Sequence, residues 1–189
     1  MTNAAPAKVA VLISGRGSNM QALAAAQGDA YRLALVASDR PEAPGLAWAD
    51  RQGIATFARS PKGTGKAAFE QALDTALHDA GAEWIALAGY MRLLSDTFVA
   101  RWRGRIINIH PSLLPKYKGL DTHARAIAAG DEVAGCSVHV VTEELDAGAV
   151  LAQAEVPILA GDTPDMLAAR VLIEEHRLYP AALKEFVRT

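Results

Sequence analysis

Through the first half of the chain, short apolar, β-branched runs alternate with helix-patterned segments, and this alternation leaves few folds open. Lys8 to Ser14, Leu33 to Ala37, Ile54 to Ala58, Trp84 to Ala88 and Ile106 to Ile109 read as strands. Between them, Ser18 to Gln27, Gly45 to Gln52, Lys66 to Ala80 and Ser95 to Arg103 read as helices. The third of these has apolar positions near Phe69, Leu73 and Leu77, and Gly53 and Gly81 mark helix ends. Strands alternating with helices imply an α/β fold with a parallel sheet and right-handed crossovers.

The second half changes character. Cys136 to Thr142 and Ala149 to Pro157 are strand-like runs joined by Glu143-Glu144-Leu145-Asp146-Ala147-Gly148, which suggests an antiparallel pair. Thr163 suits a helix N-cap with Pro164 at the first helical position. That helix is expected to run to about Tyr179 and resume after Pro180. With no linker and 189 residues, the chain reads as one domain, 1–189. No apolar run reaches the ~18 residues of a membrane span. Met1 to Ala7 has no charged stretch leading into a long apolar one, so no signal peptide is expected. The net charge of −2 argues against nucleic acid as the main partner.

Asn108-Ile109-His110-Pro111-Ser112-Leu113-Leu114-Pro115 closes the fifth strand. Alternation puts Asn108 and His110 on one face and Ile109 on the other, and Pro111 keeps His110 extended. An amide and an imidazole fixed side by side at a strand end could hold the oxyanion of an acyl transfer. The octapeptide alone is equally a polar strand end before a proline-rich loop.

Ser14-Gly15-Arg16-Gly17-Ser18-Asn19 follows strand one and opens the first helix, a setting that favours a phosphate. Asp39 stands 22 positions after Gly17, where a dinucleotide site places its ribose-binding acid. However, Met20 replaces the third glycine, so a terminal phosphate is favoured and Asp39 reads as a turn residue. Met91, Leu93 and Leu94 could line a slot for a flat ring, or could be core. Among Glu143, Glu144 and Asp146, a carboxylate near His110 would favour its imidazolium and raise its pKa; for any one of them taken from sequence alone, a solvated loop residue is the favoured reading. His78, His123, His139 and His176 lack metal-site spacing, and no catalytic metal is expected. Cys136, the one cysteine, reads as a packing residue in a reducing compartment.

Taken together, Val11 to Asn19, Leu87 to Arg92, Asn108 to Tyr117, Gly119-Leu120, Thr122-His123, Ser137 to His139 and Glu144 to Gly148 resemble the glycinamide ribonucleotide formyltransferase family of purine biosynthesis. The resemblance covers nearly the whole chain in order. It implies a single-domain formyltransferase fold on a Rossmann-like, mostly parallel sheet. The implied reaction transfers formyl from 10-formyltetrahydrofolate to the glycinamide amine through a tetrahedral oxyanion. By matching position, Asn108, His110 and Asp146 are the catalytic residues. Gly17, Ser18, Asn19 and Glu175 would bind the ribonucleotide. Met91, Arg92, Leu93 and Leu94, with Asn108 and Thr142, Glu143, Glu144 and Leu145, would form the folate pocket, and Lys66 would lie near the folate tail. Small-molecule substrates, a monomer or homodimer, and a cytoplasmic location complete the expectation, with neither nucleic acid nor membrane as a partner.

Arg16 and Asp121 depart from the common pattern, where asparagine and histidine are frequent, and some members continue past the position of Thr189. Four rivals remain. A methionyl-tRNA formyltransferase would need a tRNA-binding domain and more basic charge, and a formyltetrahydrofolate hydrolase usually carries an N-terminal regulatory domain. A nicotinamide-dependent oxidoreductase would use Gly15 and Gly17. A non-catalytic binding module would keep the site shape without turnover.

Overall fold

The strands that read as unbroken apolar runs lie in the middle of the sheet, covered on both faces. In the computed structural model, which describes residues 5–189, β1 (Ala7–Ile13) turns Val9, Val11 and Ile13 to one core and Ala10 and Leu12 to the other. The remaining strands are β2 (Tyr31–Ser38), β3 (Thr56–Ala58), β4 (Trp84–Leu87), β5 (Ile106–His110), β6 (Val133–Val140) and β7 (Val150–Pro157). They form one sheet in the order β3-β2-β1-β4-β5-β6-β7. β1 to β5 are parallel, and β6 and β7 each pair antiparallel to the strand before. This is the expected α/β class with its antiparallel C-terminal pair. The expectation for Met1 to Ala7 falls partly outside the described residues.

Among the described residues six helices complete the layers: α1 (Ser18–Ala25), α2 (Pro44–Arg51), α3 (Lys66–Asp79), α4 (Asp96–Arg101), α5 (Thr122–Ala128) and α6 (Pro164–Phe186). Met20, Leu23, Leu46, Ala49, Ala126, Leu167 and Val171 put α1, α2, α5 and α6 on one face. Phe69, Leu73, Leu77 and Phe98 put α3 and α4 on the other. Each face buries a continuous apolar layer, and this burial is the main stabilising term.

Three expectations need correction. β6 begins at Val133 and ends at Val140, three residues earlier than expected at its start and two at its end, because its ladder continues to Pro157 on β7. α5 was not expected as a helix. α6 does not break at Pro180: that residue lacks only its own N–H, and Tyr179, Leu183 and Phe186 hold the last turns in the core. Tyr179 also donates its hydroxyl to Leu87 O at 2.9 Å.

The strand order reverses between β1 and β4. In an open α/β sheet that reversal opens a crevice beyond the strand ends. The loops after β1, β4 and β5 all leave from this edge.

Candidate active site

Asn108 and His110 share a face of β5, as alternation requires, while Ile107 and Ile109 enter the core on the other side. His110 is 5% exposed. Its Nδ1 lies 3.4 Å from Asp146 Oδ2 and its Nε2 2.9 Å from Tyr117 O. Both ring nitrogens therefore face oxygens, and only a ring with hydrogen on both donates to both. Asp146 comes from the loop between β6 and β7, far from β5 in sequence. The close return of that loop depends on Gly148, where a Cβ would collide with Val140 O.

His139 joins these groups, a role the sequence reading did not assign. It sits opposite Asn108 in the β5–β6 ladder. Its Nε2 is 3.2 Å from Asn108 Nδ2 and 3.4 Å from Asp146 Oδ1, and its Nδ1 is 3.0 Å from Val140 O. A single ring nitrogen serves one neighbour at a time: unprotonated, Nε2 accepts from Asn108; protonated, it donates to Asp146. Asn108 has two amide hydrogens, so at least one is free in either state of His139.

Burial pushes the Asp146 carboxyl up, but hydrogen bonds from His139 and from Gly119 N–H (2.9 Å), with the nearby imidazoles, hold it below the usual carboxylate range. The 111–121 loop that supplies Tyr117 and Gly119 is itself tied down. Ser112 donates to Lys116 O, Thr122 donates to Pro111 O, and Arg125 donates to Lys118 O. Burial and then the charge of His110 lower His123, whose Nδ1 is buried without a hydrogen-bond partner among the described residues.

The Gly15–Asn19 turn meets the start of α1. Gly17 occupies the N-cap with φ 70°, and among the described residues no side chain caps the helix, so its first N–H groups are open to an anion. Gly45 N–H donates to Gly15 O at 3.1 Å, and a Cβ on Gly45 would collide with Ile13 and crowd this loop. Asn19 donates to Glu175 Oε2 at 2.7 Å, joining α1 to α6. Burial pushes the Glu175 carboxyl up, and the single bond from Asn19 offsets only part of the shift. Asp39 lies in the bend after β2, as expected of a turn residue, but it is also buried and accepts the Ser14 hydroxyl at 2.6 Å.

In the segment after β4, Met91 and Leu93 stay out of the core and Leu94 packs against it. Met91 is 59% and Leu93 66% exposed, while Leu94 is partly buried against the second core. Lys66 opens α3 and is exposed, as are Arg92, Thr142, Glu143, Glu144 and Leu145. Glu143 pairs with Arg103 at 2.8 Å and Glu144 with Lys118 at 3.2 Å. The structure thus gathers Asn108, His110 and Asp146 into one hydrogen-bonded cluster, and Asn19 and Glu175 into another. No hydrogen bond connects Lys66 to either among the described residues. Cys136 is fully buried in the core, and burial, then the charge of Glu175, pushes its thiol up to about 12. Among the described residues no cluster of His, Cys, Asp and Glu is arranged to hold a metal ion, and no helix is long and apolar enough to cross a membrane.

Residues 7–183 match the family described as Formyl transferase. The chain is 43% identical over 182 residues to phosphoribosylglycinamide formyltransferase of Escherichia coli, covering 94% of this chain and 86% of that protein. It is 46% identical over 181 residues to trifunctional purine biosynthetic protein adenosine-3 of Gallus gallus, covering 94% of this chain but spanning only 18% of that protein's length. The crystal structure of phosphoribosylglycinamide formyltransferase from Brucella melitensis superposes with a TM-score of 0.91 at 52% identity, covering 97% of both chains. Glycinamide ribonucleotide transformylase 1 from Symbiobacterium toebii gives a TM-score of 0.94 at 41% identity, covering 100% of this chain and 90% of that one.

Proposed function

The chain belongs to the formyl transferase family, and from this premise we propose that it moves the formyl group of 10-formyltetrahydrofolate to the amine of 5'-phosphoribosylglycinamide in de novo purine biosynthesis. The observation that carries the reading is the Asn108–His110–Asp146 cluster around the buried His110, set on the same sheet edge as an uncapped phosphate-type loop.

The ribonucleotide phosphate sits on the N–H groups around Gly17, Ser18 and Asn19. Glu175 receives the glycinamide end, where a protonated or hydrogen-bonding amine stabilises its ionised form. The folate lies along Met91 to Leu94, reaching toward Asn108 and the Thr142–Leu145 loop, with its acidic tail toward Lys66. The amine lone pair attacks the formyl carbon, and the carbonyl π electrons move onto oxygen. The free amide hydrogen of Asn108 and the Nε2–H of His110, which exchanges Tyr117 O for the substrate oxygen, receive the oxyanion; one such donor is typically worth about 3 kcal/mol. The bond from formyl carbon to N10 then breaks. The proton lost by the amine reaches N10 with Asp146 as relay, directly or through water. Asp146 also keeps His110 oriented and charge-balanced.

Residues 1–189 act as one formyltransferase domain in the cytoplasm, on small-molecule substrates, as a monomer or homodimer. The test is an absorbance assay for tetrahydrofolate release, run with and without the ribonucleotide. Release that depends on the ribonucleotide supports the reading. Equal release in both makes the chain a hydrolase, and no release from folded protein overturns formyl transfer from folate.

A further inference from the structure

Two buried carboxylates, Asp39 and Glu70, take no part in the chemistry above. They are 6% and 5% exposed. Asp39, at the end of β2, accepts the Ser14 hydroxyl at 2.6 Å, and Ser14 Oγ accepts the Met91 N–H at 2.9 Å. Ser14 N–H also donates to Gly89 O at 3.2 Å. This relay crosses from β1 to β4 at the point where the strand order reverses. Glu70, on α3, accepts the Ser95 N–H at 2.8 Å and the Ser95 hydroxyl on its other oxygen. Ser95 Oγ in turn caps α4 by accepting Phe98 N–H.

The segment from Met91 to Ser95 is thus tied at each end to a buried carboxylate. Between the ties, the backbone N–H and C=O groups of Arg92, Leu93 and Leu94 make no hydrogen bond to protein among the described residues. Met91 and Leu93 expose their side chains. Tyr90 lies between the two acids: burial and then the Asp39 charge push its phenol up, with Glu70 adding and Arg92 opposing. Burying two carboxylates is costly unless their hydrogen bonds secure something in return. What they secure here is a short stretch of backbone with fixed ends and unused donors and acceptors, suited to the edge of a flat heterocycle.

We propose that Asp39 and Glu70 are positioning residues for the folate, holding the two ends of the Met91–Ser95 segment so that its free backbone groups meet the pterin edge. This rests on the folate reading of the site. Neither acid touches the ligand; Asp39 acts through Ser14 and Glu70 through Ser95.

The experiment compares steady-state kinetics of the wild type with Asp39→Ala, Glu70→Ala, Asp39→Asn and Glu70→Gln, varying each substrate in turn. Loss of a charged hydrogen-bond anchor should raise the folate KM about 10-fold in each alanine variant. The ribonucleotide KM and the kcat at saturating folate should stay within about 3-fold of wild type. Asn and Gln each keep an oxygen acceptor and should restore most of the folate KM. Ser14→Ala removes the relay with little change in volume, and it should reproduce the Asp39→Ala pattern even if that variant fails to fold. An unchanged folate KM in Ser14→Ala and Glu70→Ala would overturn the proposal. So would a fall in kcat with both KM values rising together. Those outcomes leave the folate reading standing if the wild type turns over; a wild type that does not use the folate overturns both.

Discussion

Asp146 and Glu175 both have largely buried carboxyl groups, and their surroundings drive them in opposite directions. Burial pushes each toward its neutral form. Around Asp146 that push is outweighed by His139, by the Gly119 N–H and by the charge of His110. Around Glu175 the one bond from Asn19 does not outweigh it. Burial alone therefore does not set the charge of a carboxylate; the donors arranged around it do. Asp146 is furnished as a standing anion beside an imidazole. Glu175 is left short of partners, and an incoming amine would supply what is missing.

The sharpest way to break this comparison is Asp146→Asn. Loss of the anion beside His110 should lower kcat by roughly 10³-fold, with both KM values within a few-fold. A kcat close to wild type would mean that the charge of Asp146 does not matter. Its depressed pKa also makes a stability prediction. The contribution is present above the unfolded carboxylate value of about 4 and is lost as pH falls through the folded value. Thermal melts should therefore show the gap between wild type and Asp146→Asn closing in acid.

His139→Ala removes one of the donors that hold Asp146 down. It should lower kcat about 10-fold and move the acidic limb of the kcat profile to higher pH. An acidic limb that stays in place would leave Gly119 and His110 as the groups that matter.

Glu175→Gln tests the other side. The folded pKa of Glu175 is raised, so its contribution to stability is full below the unfolded value of about 4.3 and is lost as pH rises through the folded value. The glutamine variant keeps the Asn19 bond and cannot ionise, so it should melt higher than wild type at pH 7 and no differently near pH 4. Its ribonucleotide KM should rise several-fold, up to about 10-fold. A lower Tm at neutral pH would show that the ionised form is already well served without substrate.

The smallest effect belongs to a solvent-facing pair. Arg103→Ala removes the bond to Glu143, in which the arginine is 75% exposed. Surface pairs contribute little, so Tm should not move measurably. A clear drop would mean that the Thr142–Leu145 loop relies on this anchor.

Much of this was legible in the sequence, for local reasons. Apolar runs gave β1, β4 and β5, two-residue alternation put Asn108 and His110 on one face, and Thr163 before Pro164 marked the start of α6, where its side chain accepts Met166 N–H. What escaped depends on register or on side-chain contacts between distant segments. His139 enters the cluster only because β6 pairs with Asn108 opposite it. The buried bond of Asp39 was not legible because its partner, Ser14, lies 25 positions away, just past the end of β1. α5 has only seven residues, too few to show a helical period, and Asp121 at its N-cap, although a usual start residue, is left-handed and caps no N–H among the described residues. The passage of α6 through Pro180 reflects tertiary packing that overrides a local helix breaker.

The most direct test follows a carbon-13 formyl label on the folate by NMR, in wild type and His110→Ala side by side, with the ribonucleotide present. The label should move to the glycinamide nitrogen in the wild type, and the rate should fall by roughly 10³-fold in the variant while both substrates still bind. Label released as formate, or equal transfer rates in the two proteins, would contradict formyl transfer at the His110–Asp146 pair.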